Sequence, residues 1–261
     1  MTTISPESIS NNIHKFKQAL ETIPENKIPI IIPVFNLCSY VKNIVHQLTS
    51  RGITEFIICD NASTYPPMMK YLDELAETHR VVRFDANMGP HFCIQTPEIL
   101  NMLPDYFVVT DPDLVFNINL PDNFIAEMQR VIHSHGVSKA GFALDIHKTA
   151  HKFFNKEQVH KWEGKYWTNK VTPSAMCISD DTYYAPVDTT FCLYKKSTYV
   201  KELMYLSRGT TATSAVRIAG RFTCEHMGWW KVQPVLKEEM DYYHATQKWC
   251  STYNERTRLK I

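Results

Sequence analysis

Four short apolar runs recur through the first half of the chain, and polar residues follow each of them. The runs cover residues 28–34, 55–59, 80–84 and 106–109. They are short and rich in β-branched and aromatic residues, which predicts buried strands. Helical spacing fills the gaps between them. Val41, Ile44, Val45 and Leu48 recur at that spacing up to Gly52, and Met69, Leu72 and Leu75 follow the pair Pro66 and Pro67. Ahead of the first strand, Ser5 and Pro6 form an N-cap with proline at the first helical position. Ile9, Ile13, Phe16 and Leu20 then predict an amphipathic helix packed on the body. Strands alternating with helices predict an α/β fold with a mostly parallel sheet and right-handed crossovers.

The pattern changes after the fourth run. Residues 122–132 predict a helix, and residues 140–146 predict a fifth strand. Residues 147–184 then hold Phe153, Phe154, Trp162, Tyr166 and Trp167 among many polar residues. Such a segment fits either a platform on which sugars stack or a loop pinned to the core by its rings. Residues 185–194 predict a strand with a polar break at Asp188, and residues 234–246 predict a closing helix.

Composition narrows the function classes. A chain of 261 residues with 44% hydrophobic content can bury a large core, read here as one domain spanning 1–261. Within it, 28–120 is the first half, 121–245 the second, with an N-terminal helix in 1–27 and a tail in 246–261. A net charge of +1 gives no general attraction to nucleic acid. Seven cysteines without a close pair point to a reducing, cytoplasmic setting. No secretory leader and no transmembrane run is visible. The mildly basic tail offers a weak peripheral contact with an anionic membrane.

Ligands of parallel α/β sheets bind beyond the carboxyl ends of the strands. Polar residues gather at all four predicted ends: Asn36, Asp60 with Asn61, Asn87 with Gly89, and Asp111 with Asp113. The last pair reads D-P-D. Pro112 keeps Asp111 extended, and residues two apart then face one side. Two carboxylates so close favour a hard cation between them, Mn²⁺ or Mg²⁺, with coordination sites left for phosphates. The plainer account of D-P-D is a polar turn, and that of Asp60 and Asn61 is a helix cap or Asx-turn.

The ordered set I-I-P-V-F-N, F-I-I-C-D-N-A-S, N-M-G-P and V-V-T-D-P-D resembles the nucleotide half of glycosyltransferase family 2, with its GT-A fold. The match runs over roughly residues 28–120, with family-like features to about residue 245. The resemblance implies that Pro33, Phe35 and Asn36 line a nucleoside pocket. Asp60 would bond the uracil or ribose, and Asn61 stands where many members carry a second acid. Asn87 and Gly89 would lie over the nucleotide, Asp111 would touch ribose or metal, and Asp113 would be the firmer metal ligand. Asp188 takes the place of the acid that deprotonates the acceptor hydroxyl, with Asp180 and Asp181 as competitors. His226 takes the place of a third metal or diphosphate contact. Arg217 and Arg221 are candidate diphosphate partners, because guanidinium pairs well with phosphate oxygens. Trp229 and Trp230 are candidate covers for a sugar.

The function so implied is a metal-dependent, inverting, hexosyl-transferring enzyme. Its partners are a nucleotide-sugar donor such as a UDP-sugar and a glycan or other hydroxyl acceptor. Two readings stay open beside it. One is a catalytically silent sugar-binding scaffold. The other is a nucleotidyltransferase, which should carry a basic, glycine-rich loop that residues 34–38 lack.

Overall fold

The computed structural model describes residues 4–171, 180–206 and 214–247. In chain order the elements of the first half are α1 (Pro6–Leu20), β1 (Ile30–Val34), α2 (Cys38–Thr49), β2 (Phe56–Asp60), α3 (Pro66–Ala76), β3 (Arg80–Arg83), α4 (Phe92–Gln95), α5 (Pro97–Met102), β4 (Tyr106–Val109) and β5 (Leu114–Phe116). There follow α6 (Phe124–His135), β6 (Lys139–Phe142), α7 (Lys156–Glu163), β7 (Lys170–Val171), β8 (Thr182–Tyr184), β9 (Cys192–Lys195), α8 (Lys196–Leu206), β10 (Ala215–Ile218), β11 (Cys224–His226) and α9 (Lys237–Thr246). No described helix is long and apolar enough to cross a membrane. The basic end of the tail lies outside the described residues.

The chain divides into two compact units. The first takes residues up to 102, then Asp111–Asp113, then residues from 227 onward. Its sheet runs β3-β2-β1, all parallel. The register sets Val34 opposite Asp60 and Asp60 opposite Arg83, so the three carboxyl ends finish level. Every residue of β1 and β2 is buried. Burial of each Ile or Val there contributes about 1.5–3 kcal/mol. Helix α2 turns Tyr40, Val41, Ile44, Val45 and Leu48 inward, and α3 turns in Met68, Leu72 and Leu75. In α1, Ser5 Oγ accepts from the Ser8 N–H, and Phe16 meets Phe92 edge-on at 5.8 Å.

Helix α9 docks differently. Its buried side chains are Glu239 and Tyr243. Glu239 accepts from the Ser39 N–H at 2.8 Å and from Ser39 Oγ at 2.6 Å. That caps the start of α2, whose own N-cap residue Leu37 makes no side-chain cap bond. Tyr242 donates to Thr64, and Asn36 Nδ2 donates to Thr246 Oγ1 at 2.9 Å. Polar bonds to the strand-end loops, together with the ring contacts of Tyr243 with Phe35 and of Tyr242 with Tyr65, hold this helix in place.

The second unit takes residues 103–110 and 114–226. Its sheet order is β4-β9-β6-β10-β8-β7, with β6 and β10 parallel and the other neighbours antiparallel. A separate pair joins β5 to β11, with Leu114 opposite His226. The core is aromatic. Phe142 and Phe191 stack at 4.9 Å, and Phe116 and Phe124 meet Phe191 at 5.3 and 5.2 Å.

One expected strand is corrected here. Residues 185–194 do not form one strand with a polar break, because β9 begins only at Cys192. The carbonyls of Pro186 and Val187 accept from side chains, Arg217 Nε at 2.7 Å and Lys139 Nζ at 2.7 Å. Phe191 has a φ of 43°, which no regular strand permits.

Candidate functional site

The candidate residues of the first unit sit where the parallel strands end. Pro33 is inside β1, opposite Cys59. Phe35, just past the strand, is half-buried and meets the Tyr243 ring edge-on at 6.3 Å. Asn36 is fully buried and left-handed, with a φ of 51°. Its Oδ1 accepts from the Thr64 and Tyr65 N–H groups at 2.8 and 2.9 Å, while its own N–H donates to Ser63 Oγ. The Asn36 amide therefore ties the β1 end to the loop after β2 and to α9. Ala62, in that second loop, also has a positive φ, 59°. Left-handed backbone costs about 1–2 kcal/mol outside glycine, so both loops hold conformations that their neighbours enforce.

Asn61, Asn87 and Gly89 come together in one network. Asn61 Oδ1 accepts from the Met88 N–H at 3.0 Å, and its Nδ2 reaches the Gly89 carbonyl at 3.4 Å. Asn87 Oδ1 accepts from the Gly89 N–H at 2.8 Å. The loop after β3 is thereby fastened to the end of β2.

Asp60 is 1% exposed, and its Oδ1 accepts from the Ser63 N–H at 3.1 Å. Burial pushes its carboxyl above the usual range, with the Ser63 bonds and the Arg83 charge pulling partly back. An acid raised in the folded state holds its proton longer than in the unfolded chain. Stability then falls as pH rises from the ordinary carboxylate value through the folded value, and stays lower above it. Asp60→Asn keeps an acceptor for Ser63 and removes the charge. The variant is expected to match the parent in acid and exceed it in neutral solution, read from urea melts at both pH values. A variant less stable at neutral pH would show that the fold needs the charge.

The D-P-D segment belongs to the first unit, although the strands on either side of it belong to the second. Asp113 is 6% exposed, Asp111 is half-buried, and the Asp113 carbonyl accepts from the Met227 N–H at 2.8 Å. Two carboxylates are the oxygen donors that a hard divalent ion takes. Among the described residues no group of three or more His, Cys, Asp or Glu side chains is gathered to hold a metal ion. Pro112 and Asp113 stand in a turn and not in the extended segment expected of D-P-D, and the two acids supply donors of the kind taken by an ion that keeps several waters.

In the second unit the three candidate acids stand in different surroundings. Asp180 is buried, and Arg221 grips it with its backbone N–H at 2.7 Å, Nε at 3.0 Å and Nη2 at 2.6 Å. Gly220 makes that grip possible, since a Cβ there would lie 2.3 Å from Asp180 Oδ1. The Arg221 guanidinium also meets Glu127 at 3.4 Å, so two carboxylates already balance it. Asp181 pairs with Lys170 at 2.8 Å. Arg217 is buried, bridged to Glu163 at 2.5 Å and laid over the Tyr166 ring at 4.2 Å. His226 is half-buried in β11.

Asp188 is exposed, in a loop fixed at several points. Arg217 and Lys139 hold the two carbonyls before it. The Val187 side chain sits where Gly141 leaves room, for a Cβ there would lie 2.3 Å from Val187 Cγ1. The Thr190 carbonyl accepts from the Phe142 N–H at 3.0 Å. Buried cations are costly, so this loop is held against a penalty. Sequence reasoning misses Lys139 and Glu239. The visible signals are a lysine leading an apolar strand and a closing helix with few apolar residues.

No family model matches the chain, and no curated protein matches it. Solved structures do. GalNAc-T7, crystallised with UDP, GalNAc and Mn²⁺, matches 97% of this chain and 59% of its own, at 12% identity and a TM-score of 0.51. S. aureus TarS (1–349) in complex with UDP matches 67% of this chain and 48% of its own, at 12% identity and a TM-score of 0.41. Glucosyl-3-phosphoglycerate synthase from Mycobacterium tuberculosis, in complex with Mn²⁺ and UDP-Glc, matches 72% of this chain and 61% of its own, at 13% identity and a TM-score of 0.35. The chain spans about half the length of the TarS 1–349 chain. The likeness to GalNAc-T7 shows the fold, which is GT-A, an α/β architecture with helices flanking a central sheet.

Proposed function

We propose that the chain is a glycosyltransferase that moves a hexosyl group from a UDP-sugar to an acceptor hydroxyl, in the making of a glycan or polysaccharide. One observation carries the reading. The first unit gathers, at the carboxyl ends of its parallel strands, the linked Asn61, Asn87 and Gly89 and the buried Asp60, and the D-P-D segment belongs to the same unit. Phe35 offers a ring to the base, with Pro33 behind it in β1. Asn36 holds the loop, Asp60 bonds the nucleoside, and the tied loop after β3 covers it. Asp111 and Asp113 would hold Mn²⁺ or Mg²⁺ as a pair, since among the described residues no third His, Cys, Asp or Glu, His226 included, is gathered with them. When bound, the ion supplies positive charge where the departing diphosphate gains negative charge.

Asp188 takes the proton of the acceptor hydroxyl. As that oxygen bonds to the anomeric carbon, the bond from this carbon to the diphosphate oxygen breaks, and UDP leaves with the electron pair. One displacement inverts the anomeric centre. Arg221 and Asp180 serve this half by fixing the turn at Gly220.

The test is direct. The chain is incubated with UDP-glucose, UDP-galactose and their N-acetylamino counterparts, with Mn²⁺ or with chelator, and UDP release is followed. Metal-dependent release from at least one donor is expected, with UDP raising the melting temperature by mass action. Absence of both release and UDP binding would overturn the proposal.

A further inference from the structure

One strand of the second unit clasps the Asp188 loop on both sides. Before Asp188, the Lys139 ammonium at the start of β6 donates to the Val187 carbonyl at 2.7 Å. After it, at the end of β6, the Phe142 N–H donates to the Thr190 carbonyl at 3.0 Å, and the Thr190 hydroxyl donates to the Phe142 carbonyl at 3.2 Å. The second clasp is neutral. The first is a charge, and a buried one. Lys139 is 8% exposed, on a strand with Tyr194 of β9 opposite it on one side and Ala215 of β10 on the other.

Lysine is almost never so buried unless it is paired. Among the described residues no carboxylate pairs with Lys139. Besides the Val187 carbonyl it meets only ring faces, Tyr194 at 5.3 Å and Tyr199 at 5.9 Å. Arg217 differs. Its Nε holds the Pro186 carbonyl at 2.7 Å, and Glu163 balances its charge at 2.5 Å. The buried Cys192 thiol lies among these groups. Burial pushes its pKa up to about 12, the charges of Lys139 and Arg217 pull it down, and that of Asp188 pushes it up. Apolar side chains of similar volume often replace buried charges with no loss of stability, so stability gives no reason for a lysine here. The loop gives one. Phe191 is held at a φ of 43°, and Asp188 itself is exposed. A hydrogen bond from a charged donor is about twice as strong as a neutral one, and it fixes the peptide from which Asp188 projects.

We infer that Lys139 is a positioning residue, whose ammonium anchors the peptide before Asp188 so that the exposed carboxylate meets the acceptor hydroxyl in one orientation. The role in transfer rests on the glycosyltransferase reading, but the anchoring stands alone.

The experiment uses the full chain and Lys139→Met, which keeps a long unbranched stem and removes the ammonium. Amide hydrogen exchange over residues 187–190 is expected to quicken about tenfold, the scale of one hydrogen bond. The urea midpoint should be no lower than the parent's, and UDP affinity, a property of the first unit, should stay unchanged. With the KM for the donor unchanged, kcat should fall about 100-fold, the cost of a misplacement of about 1 Å. In an Asp188→Asn background the same substitution should cost little more, because the two residues act as a unit. A lowered urea midpoint with faster exchange throughout the second unit would make Lys139 a structural residue and overturn the proposal, and so would unchanged exchange over 187–190. Transfer slowed by Asp188→Asn but not by Lys139→Met would overturn it too and leave the base standing. Faster local exchange, with transfer slowed by Lys139→Met but not by Asp188→Asn, would uphold the anchor and sink Asp188 as the base. If the parent transfers no sugar, the glycosyltransferase reading falls, and the exchange result alone upholds or overturns the anchor.

Discussion

Asp188→Asn is expected to slow transfer by about 10²–10⁴-fold while leaving UDP affinity unchanged. That range is the usual contribution of a positioned general base. Asparagine keeps the size of the side chain and one acceptor oxygen, and it loses the charge and the capacity to take a proton. Several contacts besides the Asp188 side chain fix the loop: the carbonyls of Pro186 and Val187, the Val187 side chain over Gly141, and Thr190. Transfer is measured by product formation and UDP binding by calorimetry, on one preparation. Near-normal transfer would remove Asp188 from the mechanism. Asp181, half-exposed beside Lys170, would be next in line, ahead of Asp180 with its buried Arg221 grip.

Asp113→Ala is expected to weaken Mn²⁺-dependent UDP binding by more than about 100-fold, with the melting temperature of the free chain little changed. Loss of a group that only supports a metal ligand already costs 10–100-fold in metal affinity, so loss of the ligand costs more. The backbone bond from Met227 to the Asp113 carbonyl does not involve the side chain, so the segment keeps its anchor. Calorimetric titration of UDP with Mn²⁺ and with chelator reads the effect without turnover. A variant with the parent's Mn²⁺ requirement would place the ion elsewhere.

The strand ends of the first half are legible because their signals are local. An apolar run followed by Asp60 and Asn61, or by Asn87 and Gly89, announces both the strand and the turn that ends it. The α/β class follows from the order of those signals, whereas the GT-A fold is implied by the resemblance and shown by the likeness to GalNAc-T7. The Asp188 loop is misread as a strand because its alternating residues mimic one. What breaks the ladder is Lys139 and Arg217, which lie 48 and 31 positions away in sequence. The use of Asn36 and Glu239 is hidden for the same reason. Asn36 meets α9 across 210 positions, and Glu239 meets Ser39 across 200. Residue identity reveals that a side chain is polar, but only tertiary contacts decide whether it faces a ligand or a neighbouring loop.

The docking of α9 by polar bonds bears on how the first unit responds to heat. Apolar contacts like those of α2 are entropic near room temperature and persist as it warms, whereas hydrogen-bonded contacts are enthalpic and weaken steadily. Glu239, Tyr242 and Thr246 find water as readily as they find Ser39, Thr64 and Asn36. The helix should therefore part from the β1 and β2 loops in a separate, gentler step before the parallel sheet melts. A single cooperative transition would then misdescribe this chain, because the calorimetric enthalpy would exceed the value inferred from the sharpness of the main melt.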